Sequence, residues 1–134
     1  MKKFVYFQKK CNFIVILFLI LSSQNIFTEI EKKMLILGDS LSAGYGIPSE
    51  KQWVKIVQQK LDAENNKLKL INASLSGETT KGGLSRLPAL LEAFSPDFLF
   101  IELGANDGLR GYPASRVRSN LIQMCKLTER KEIS

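Results

Sequence analysis

Short apolar runs alternate along the chain with longer segments in which apolar residues recur every three or four positions. Three runs predict strands: Met34–Leu37, Leu68–Ile71 and Phe98–Ile101. The first is short and continuously apolar, which is typical of a strand covered on both faces. Each is followed by a glycine-containing or polar loop and then by a segment with helical spacing. This alternation predicts an α/β domain with a parallel sheet of about three strands and about three helices.

The first predicted helix opens at a capping box, Ser49–Gln52, whose serine and glutamine have the spacing that satisfies exposed N–H groups at a helix start. Trp53, Val57 and Leu61 then recur at helical spacing. Asn65 and Asn66 end the helix.

The other two helices contain prolines. The second carries five apolar residues at near-helical spacing, Leu84, Leu87, Leu90, Leu91 and Phe94, and we expect Pro88 to kink or restart it. The third begins near Pro113 and presents Val117, Leu121 and Met124 on one face. Cys125 is expected to be buried on the apolar side of that helix. The segment 125–134 is polar and predicts no fourth strand, so we read it as a tail foreign to the domain.

Residues 1–28 have the layout of a secretory signal peptide. Lysines at the start precede an uncharged apolar segment, Phe13–Leu21, which is too short to span a bilayer comfortably. Cleavage is expected within Ser22–Thr28, and an uncleaved membrane anchor is the alternative. The first interpretation places the mature protein in the periplasm or outside the cell, and the second places it at the inner membrane.

Charge and composition exclude several classes of function. The net charge is +6, but residues 1–28 hold four lysines and no acidic residue, leaving 15 basic and 13 acidic side chains in residues 29–134. That balance gives no basic surface for nucleic acid. With Cys11 removed, Cys125 has no intramolecular partner. No cluster of metal ligands or cofactor motif occurs, so no metal or organic cofactor is expected.

The loops after the three strands carry the candidate chemistry. Ser40 follows the first strand within a glycine-rich turn, Gly77 lies in the second loop, and Asn106 lies in the third. Ligands bind at this edge of open α/β sheets. Ser40 would be a nucleophile, and the N–H groups of Ser40 and Gly77 with the Asn106 amide would be oxyanion donors. Each such donor typically contributes ~3 kcal/mol.

Singly, these signals have simpler interpretations. Gly-Asp-Ser is more often a plain turn, and Asn-Asp-Gly is more often a tight turn. Asp39 and Asp107 are read as turn or cap acceptors, and Arg110 is read as a surface charge. The functional interpretation is favoured because all three loops occur in order after three predicted strands.

Three segments resemble the GDSL, or SGNH, hydrolase family: Gly38–Tyr45, Asn72–Thr80 and Leu103–Gly111. The similarity is greatest to its bacterial branch of periplasmic acyl-CoA thioesterases, lysophospholipases and arylesterases. It implies a flavodoxin-like, three-layer α/β/α fold, with residues 29–134 forming an incomplete SGNH domain. It also implies Ser40 as nucleophile, an oxyanion hole of Ser40, Gly77 and Asn106, and a substrate loop that includes Asp107, Gly108 and Leu109. The implied partner is a small acyl ester, thioester or lysolipid, bound by a monomer without a stable protein partner.

The chain departs from the family pattern at the base. The family places an Asp-x-x-His near its carboxyl terminus, whereas this sequence contains no histidine. We therefore expect negligible hydrolysis by these residues alone and attribute the departure to a frameshift or premature stop. Two alternatives are a non-catalytic remnant that binds acyl chains or lipid, and an unstable product of a broken gene.

Overall fold

The computed structural model describes residues 30–131 and 133–134, which contain a parallel three-stranded sheet. Its strands are β1 (Lys32–Gly38), β2 (Leu68–Asn72) and β3 (Phe98–Glu102). Their order is β2-β1-β3, so the first strand is central. Ile36 is paired with Asn72 on one side and with Phe100 on the other. The predicted strands and their parallel arrangement are confirmed, each strand being slightly longer than its apolar run.

Five α-helices and a 3-10 turn accompany the sheet in the described part of the chain. The helices are α1 (Ser40–Ala43), α2 (Trp53–Ala63), α3 (Thr80–Phe94), α4 (Ala105–Leu109) and α5 (Ala114–Glu129), and the 3-10 turn is Ser49–Lys51. The three long helices are those that the sequence predicts. The two short ones, α1 and α4, lie in segments that the sequence leaves as loops, because a single helical turn has no apolar periodicity of its own.

The core lies between the sheet and helices α3 and α5. Leu35 and Leu37 point to that face and pack with Leu87, Leu91 and Met124, all of them buried. Ile36 points to the opposite face because side chains alternate along a strand. Phe100 shares that second face, where its ring contacts Trp53 of α2 at 5.9 Å between centroids. The sheet is therefore the middle of three layers, as expected.

The capping-box prediction is wrong. Ser49 belongs to a separate 3-10 turn, and Gln52 after it is extended (φ −69°, ψ 131°), so α2 begins only at Trp53 without a side-chain cap. The Ser49 hydroxyl instead accepts a hydrogen bond from Lys55 Nζ at 3.1 Å. The Gln52 amide bonds backward to the carbonyls of Gly44 and Ile47. Contacts to the preceding loop thus replace the local cap.

On the later helices, one of the two alternatives for Pro88 is excluded and the expectation for Cys125 is corrected. Helix α3 does not restart at Pro88 but continues to Phe94, with Leu87 and Leu91 buried on either side of the proline and Pro88 itself exposed. Cys125 is exposed rather than buried. The neighbouring Met124 takes the core position, and one residue further along a helix turns the side chain about 100° away.

The last described residues lie against the domain. Leu127 and Ile133 pack on the core, and Ser134 both donates to the Asp97 carbonyl (3.1 Å) and accepts from the Leu99 N–H (2.8 Å). A foreign origin for 125–134 stays a prediction. The signal-peptide prediction for 1–28 lies outside the described residues. Within those that are described, no helix is long and apolar enough to cross a membrane.

Candidate active site

The turn after β1 is built around Asp39 and Ser40. Asp39 is the N-cap of α1, and its Oδ1 accepts a hydrogen bond from the Leu41 N–H at 3.0 Å. Gly44 ends this one-turn helix in the left-handed conformation (φ +72°), where a side chain would be strained. The result is a short, defined turn that holds Ser40 at the carboxyl end of the central strand.

Gly38 has no room for a side chain. A Cβ at this position would lie 2.7 Å from Ser42 Cβ and 2.9 Å from Glu102 Oε2. Those two residues are themselves bonded, since the Ser42 hydroxyl donates to Glu102 Oε2 at 2.9 Å. The close approach of β1 to the Ser42–Glu102 pair therefore explains the glycine before Asp39.

The end of β2 and the loop after it are tied to the end of β1 and the Ser40 turn by three hydrogen bonds. The Gly38 N–H donates to Ser74 Oγ at 3.0 Å, and the Leu75 N–H donates to the Gly38 carbonyl at 3.0 Å. The Asn72 amide donates to the Ser42 carbonyl at 2.7 Å. Gly77 follows with φ +77°, in the left-handed region that favours glycine.

The loop after β3 reaches the Ser40 turn directly. The Asn106 amide nitrogen donates to Asp39 Oδ2 at 3.1 Å, and the Asp39 N–H approaches Glu102 Oε2 at 3.4 Å. This loop also holds the second one, because Arg110 Nη2 donates to the Gly77 carbonyl at 3.0 Å. Arg110 is an exposed charge, as expected, but it also clamps the loop that contains Gly77.

All three predicted loops therefore meet at one edge of the sheet, joined pairwise by hydrogen bonds. Within the described residues, neither the Ser40 N–H nor the Gly77 N–H has an acceptor. The second hydrogen on the Asn106 amide nitrogen is also left without one. These three donors have the chemical character that an oxyanion requires.

Among the described residues, no base is hydrogen-bonded to the Ser40 hydroxyl. This hydroxyl makes no hydrogen bond with any described residue, and the carboxylates of this edge are engaged elsewhere: Asp39 with Leu41 and Asn106, Glu102 with Ser42, and Asp107 with Thr80. A serine without an adjacent base stays protonated and is a weak nucleophile.

Asp107 belongs to a buried polar cluster. Its fully buried carboxylate accepts from both the N–H (2.8 Å) and the hydroxyl (2.7 Å) of Thr80, at the start of α3. The Asn120 amide of α5 donates to the same Thr80 hydroxyl at 2.9 Å. Of the predicted substrate-loop residues, Asp107 thus points inward as an anchor, whereas Gly108 and Leu109 are exposed, Leu109 by 85%.

Glu102, Thr80 and Asn120 are not among the residues predicted for the site. Glu102 could have been noticed as the one charge that ends the apolar run of β3. The pairing of Thr80 with Asp107 and Asn120 has no local signal, because the partners are 27 and 40 residues away.

A groove of about 710 Å³ runs beside the third loop along one face of α5. Its lining includes Gly104 and Gly108, which flank Asn106, together with the apolar side chains of Val117, Leu121 and Ile122. No group of three or more metal-ligating side chains occurs in the described residues.

The three strands and the loops after them lie in a segment that matches a known family and known proteins. The model of the GDSL-like Lipase/Acylhydrolase family matches residues 36–133. An arylesterase of Vibrio mimicus is 48% identical over 113 residues, which are 84% of this chain and 55% of that protein. A thioesterase 1/protease 1/lysophospholipase L1 of Escherichia coli is 44% identical over 91 residues, 68% of this chain and 42% of that protein.

Solved structures agree with this. The crystal structure of the psychrotrophic esterase EstA from Pseudoalteromonas, inhibited by monoethylphosphonate, superposes with a TM-score of 0.74 and 51% identity, covering 76% of this chain and 56% of that one. A structure of TesA has the same TM-score at 40% identity. The chain spans about half the length of the relatives it matches.

Proposed function

The chain belongs to the GDSL-like lipase/acylhydrolase family, and on that premise we propose that its 134 residues carry the nucleophile and oxyanion donors of a serine hydrolase acting on acyl esters or thioesters. The observation that supports this most is the pairwise bonding of the three loops around Ser40, which leaves the Ser40 and Gly77 N–H groups without acceptors among the described residues.

In the proposed reaction, Ser40 Oγ attacks the carbonyl carbon of the ester or thioester. The carbonyl oxygen becomes an oxyanion that accepts from the N–H groups of Ser40 and Gly77 and from the Asn106 amide. The alkoxide or thiolate then leaves, and an acyl group remains on Ser40. Water hydrolyses that acyl-enzyme in a second step.

In each step a base must accept a proton, from Ser40 Oγ in the first and from water in the second. This chain contains no histidine to do so. Loss of the histidine from a serine hydrolase triad costs roughly 10⁶ in turnover. We therefore propose that these 134 residues have negligible hydrolase activity alone and that the base must come from outside them.

The substrate is proposed to be a small acyl ester, an acyl thioester or a lysophospholipid. The names of the relatives, arylesterase and thioesterase 1/lysophospholipase L1, cover these classes. Gly108 and Leu109 are exposed beside the groove along α5 and would border the acyl chain. No metal or cofactor takes part in this proposal.

Supplying the base from solution tests the proposal. Hydrolysis of a short-chain nitrophenyl ester is measured with and without imidazole for the parent chain and for Ser40→Ala. We expect the two to match without imidazole and the parent to exceed the variant with imidazole, with acylation detected on the Ser40 peptide by mass spectrometry. Ser49→Ala, which removes an exposed serine outside this edge, should behave as the parent.

Two outcomes would count against the proposal. Equal rates for the parent and Ser40→Ala at every imidazole concentration would exclude acyl transfer by Ser40. Turnover without imidazole that Ser40→Ala abolishes would show that the chain has a base of its own.

The groove along α5 favours a second candidate, the binding of an acyl chain or lipid without cleavage. Calorimetric titration with a lysophospholipid below its micelle concentration would measure it. Ile122→Asp places a charge on the apolar lining and should weaken binding, whereas equal affinity of both chains would place the ligand elsewhere.

We also propose that the protein is exported to the periplasm or beyond the cell. This rests on the lysines and the apolar segment Phe13–Leu21 alone. Cell fractionation with mass measurement of the mature amino terminus distinguishes a cleaved signal from an uncleaved anchor.

A further inference from the structure

Asp39 connects the nucleophile turn to the third oxyanion donor. Its carboxylate is 2% exposed, and its Oδ2 accepts from the amide nitrogen of Asn106, 67 residues further along the chain. An ionised carboxylate can only accept hydrogen bonds. It therefore requires the nitrogen of Asn106, and not the amide oxygen, to face it, and the second hydrogen of that nitrogen remains available.

The Asp39 side chain is itself fixed in place. Its other oxygen, Oδ1, accepts from the Leu41 N–H at 3.0 Å, so each oxygen holds a different loop. Rotation of the carboxylate would break the cap of α1 and the contact to Asn106 together. Since Ser40 is the next residue, the orientation of Asn106 is set relative to the nucleophile.

The other carboxylates at this edge do not hydrogen-bond the Asn106 amide. Glu102 accepts from the Ser42 hydroxyl, and Asp107 accepts from Thr80. Among the described residues, Asp39 is the one side chain that hydrogen-bonds the Asn106 amide.

We propose that Asp39 is a positioning residue that selects the orientation of the Asn106 amide and so makes it an oxyanion donor. This rests on the proposed function of Ser40. Asp39 acts here through Asn106 and does not touch the substrate.

Asp39→Asn tests the proposal with little change of shape. Its amide can still accept from Leu41, but its NH₂ now meets the amide nitrogen of Asn106, which favours rotation of Asn106 by half a turn. We expect the imidazole-supported acylation rate to fall roughly 10²–10³-fold, as for loss of one oxyanion donor, mainly in kcat. Asp62→Asn, on the exposed side of α2, is the matched control and should match the parent.

A double-mutant cycle with Asn106→Ala distinguishes positioning from other effects. If Asp39 acts through Asn106, adding Asp39→Asn to Asn106→Ala should lower the rate no further. Multiplying losses would overturn the proposal.

A measurement without catalysis separates this proposal from that of the hydrolase. In NMR spectra of the parent chain, one of the two Asn106 side-chain amide protons should exchange with solvent more slowly than the other, because it is bonded to a buried carboxylate. In Asp39→Asn both signals should shift. Equal exchange of the two protons in the parent would overturn the positioning role, whether or not the variant folds. Should Ser40 show no activity with imidazole, the hydrolase proposal fails, while the NMR result still decides how Asn106 is held.

Discussion

The loop edge of the sheet and the layer between the sheet and α2 differ in how completely they are packed. At the loop edge, each of the three loops is hydrogen-bonded to the other two, next to the point where the fully buried Leu37 of β1 enters the core. Between the sheet and α2, apolar side chains remain partly open to solvent. Trp53 on α2 is 37% exposed and Phe100 on β3 is 44% exposed, although their rings contact each other.

This difference shows which part of the described structure has its polar groups paired and its apolar groups buried. No buried side-chain nitrogen or oxygen among them lacks a hydrogen-bond partner, so the polar network at the loop edge is satisfied internally. The layer between the sheet and α2 contributes less, because a side chain that stays partly exposed has gained less from leaving water. Substitutions should therefore divide sharply between the two regions.

The largest effect is expected at the centre of the sheet. Leu37→Ala removes a fully buried side chain from the core and should lower the free energy of unfolding by about 2–5 kcal/mol. Phe100→Ala on the exposed face of β3 is the paired variant and should cost clearly less. Urea denaturation followed by circular dichroism measures both. Equal losses would show that the two regions are packed alike.

The buried polar cluster should give an intermediate effect. Asp107→Ala removes the buried acceptor of the Thr80 N–H and hydroxyl, and we expect it to lower the free energy of unfolding by about 1–3 kcal/mol in total. The same denaturation experiment detects it. Asp62→Ala, whose carboxylate lies on the surface, should stay within about 0.5 kcal/mol of the parent. A loss at Asp107 no larger than at Asp62 would mean that the cluster does not anchor the third loop.

The smallest effect is expected on the outer side of α5. Cys125→Ser should change stability by less than about 0.5 kcal/mol, since Cys125 is exposed. In the folded parent, Cys125 should react with a thiol reagent as fast as in the unfolded chain. Protection that disappears only on unfolding would show that this face is covered in solution.

Features that depend on neighbouring residues could be predicted from the sequence, whereas features that depend on distant contacts could not. The strands were predictable because a continuous apolar run is a local property, as in Met34–Leu37. The start of α2 was not, because Gln52 bonds to the preceding loop and the helix begins after it. Cys125 was assigned to the wrong side of its helix, because which of two adjacent residues faces the core depends on how α5 packs against α3.

In the candidate site, too, the residues could be predicted from the sequence, but the contacts between them could not. Ser40, Gly77 and Asn106 were found from loop composition and from resemblance to a family, and their roles stay predictions. The Asp39–Asn106 bond and the Arg110 clamp on Gly77 had no signal in the sequence.

By itself, the amino-acid sequence determined the α/β class, the three loops with their candidate residues, and the absence of a histidine base, since these depend on residue identity and local periodicity. The tertiary structure alone decided that β1 is central, which carboxylate binds which partner, and that Asp39 contacts the Asn106 amide. Such contacts join residues up to 67 positions apart. They form only when packing of the sheet brings the strand ends together, and the local sequence does not indicate which distant residues will meet.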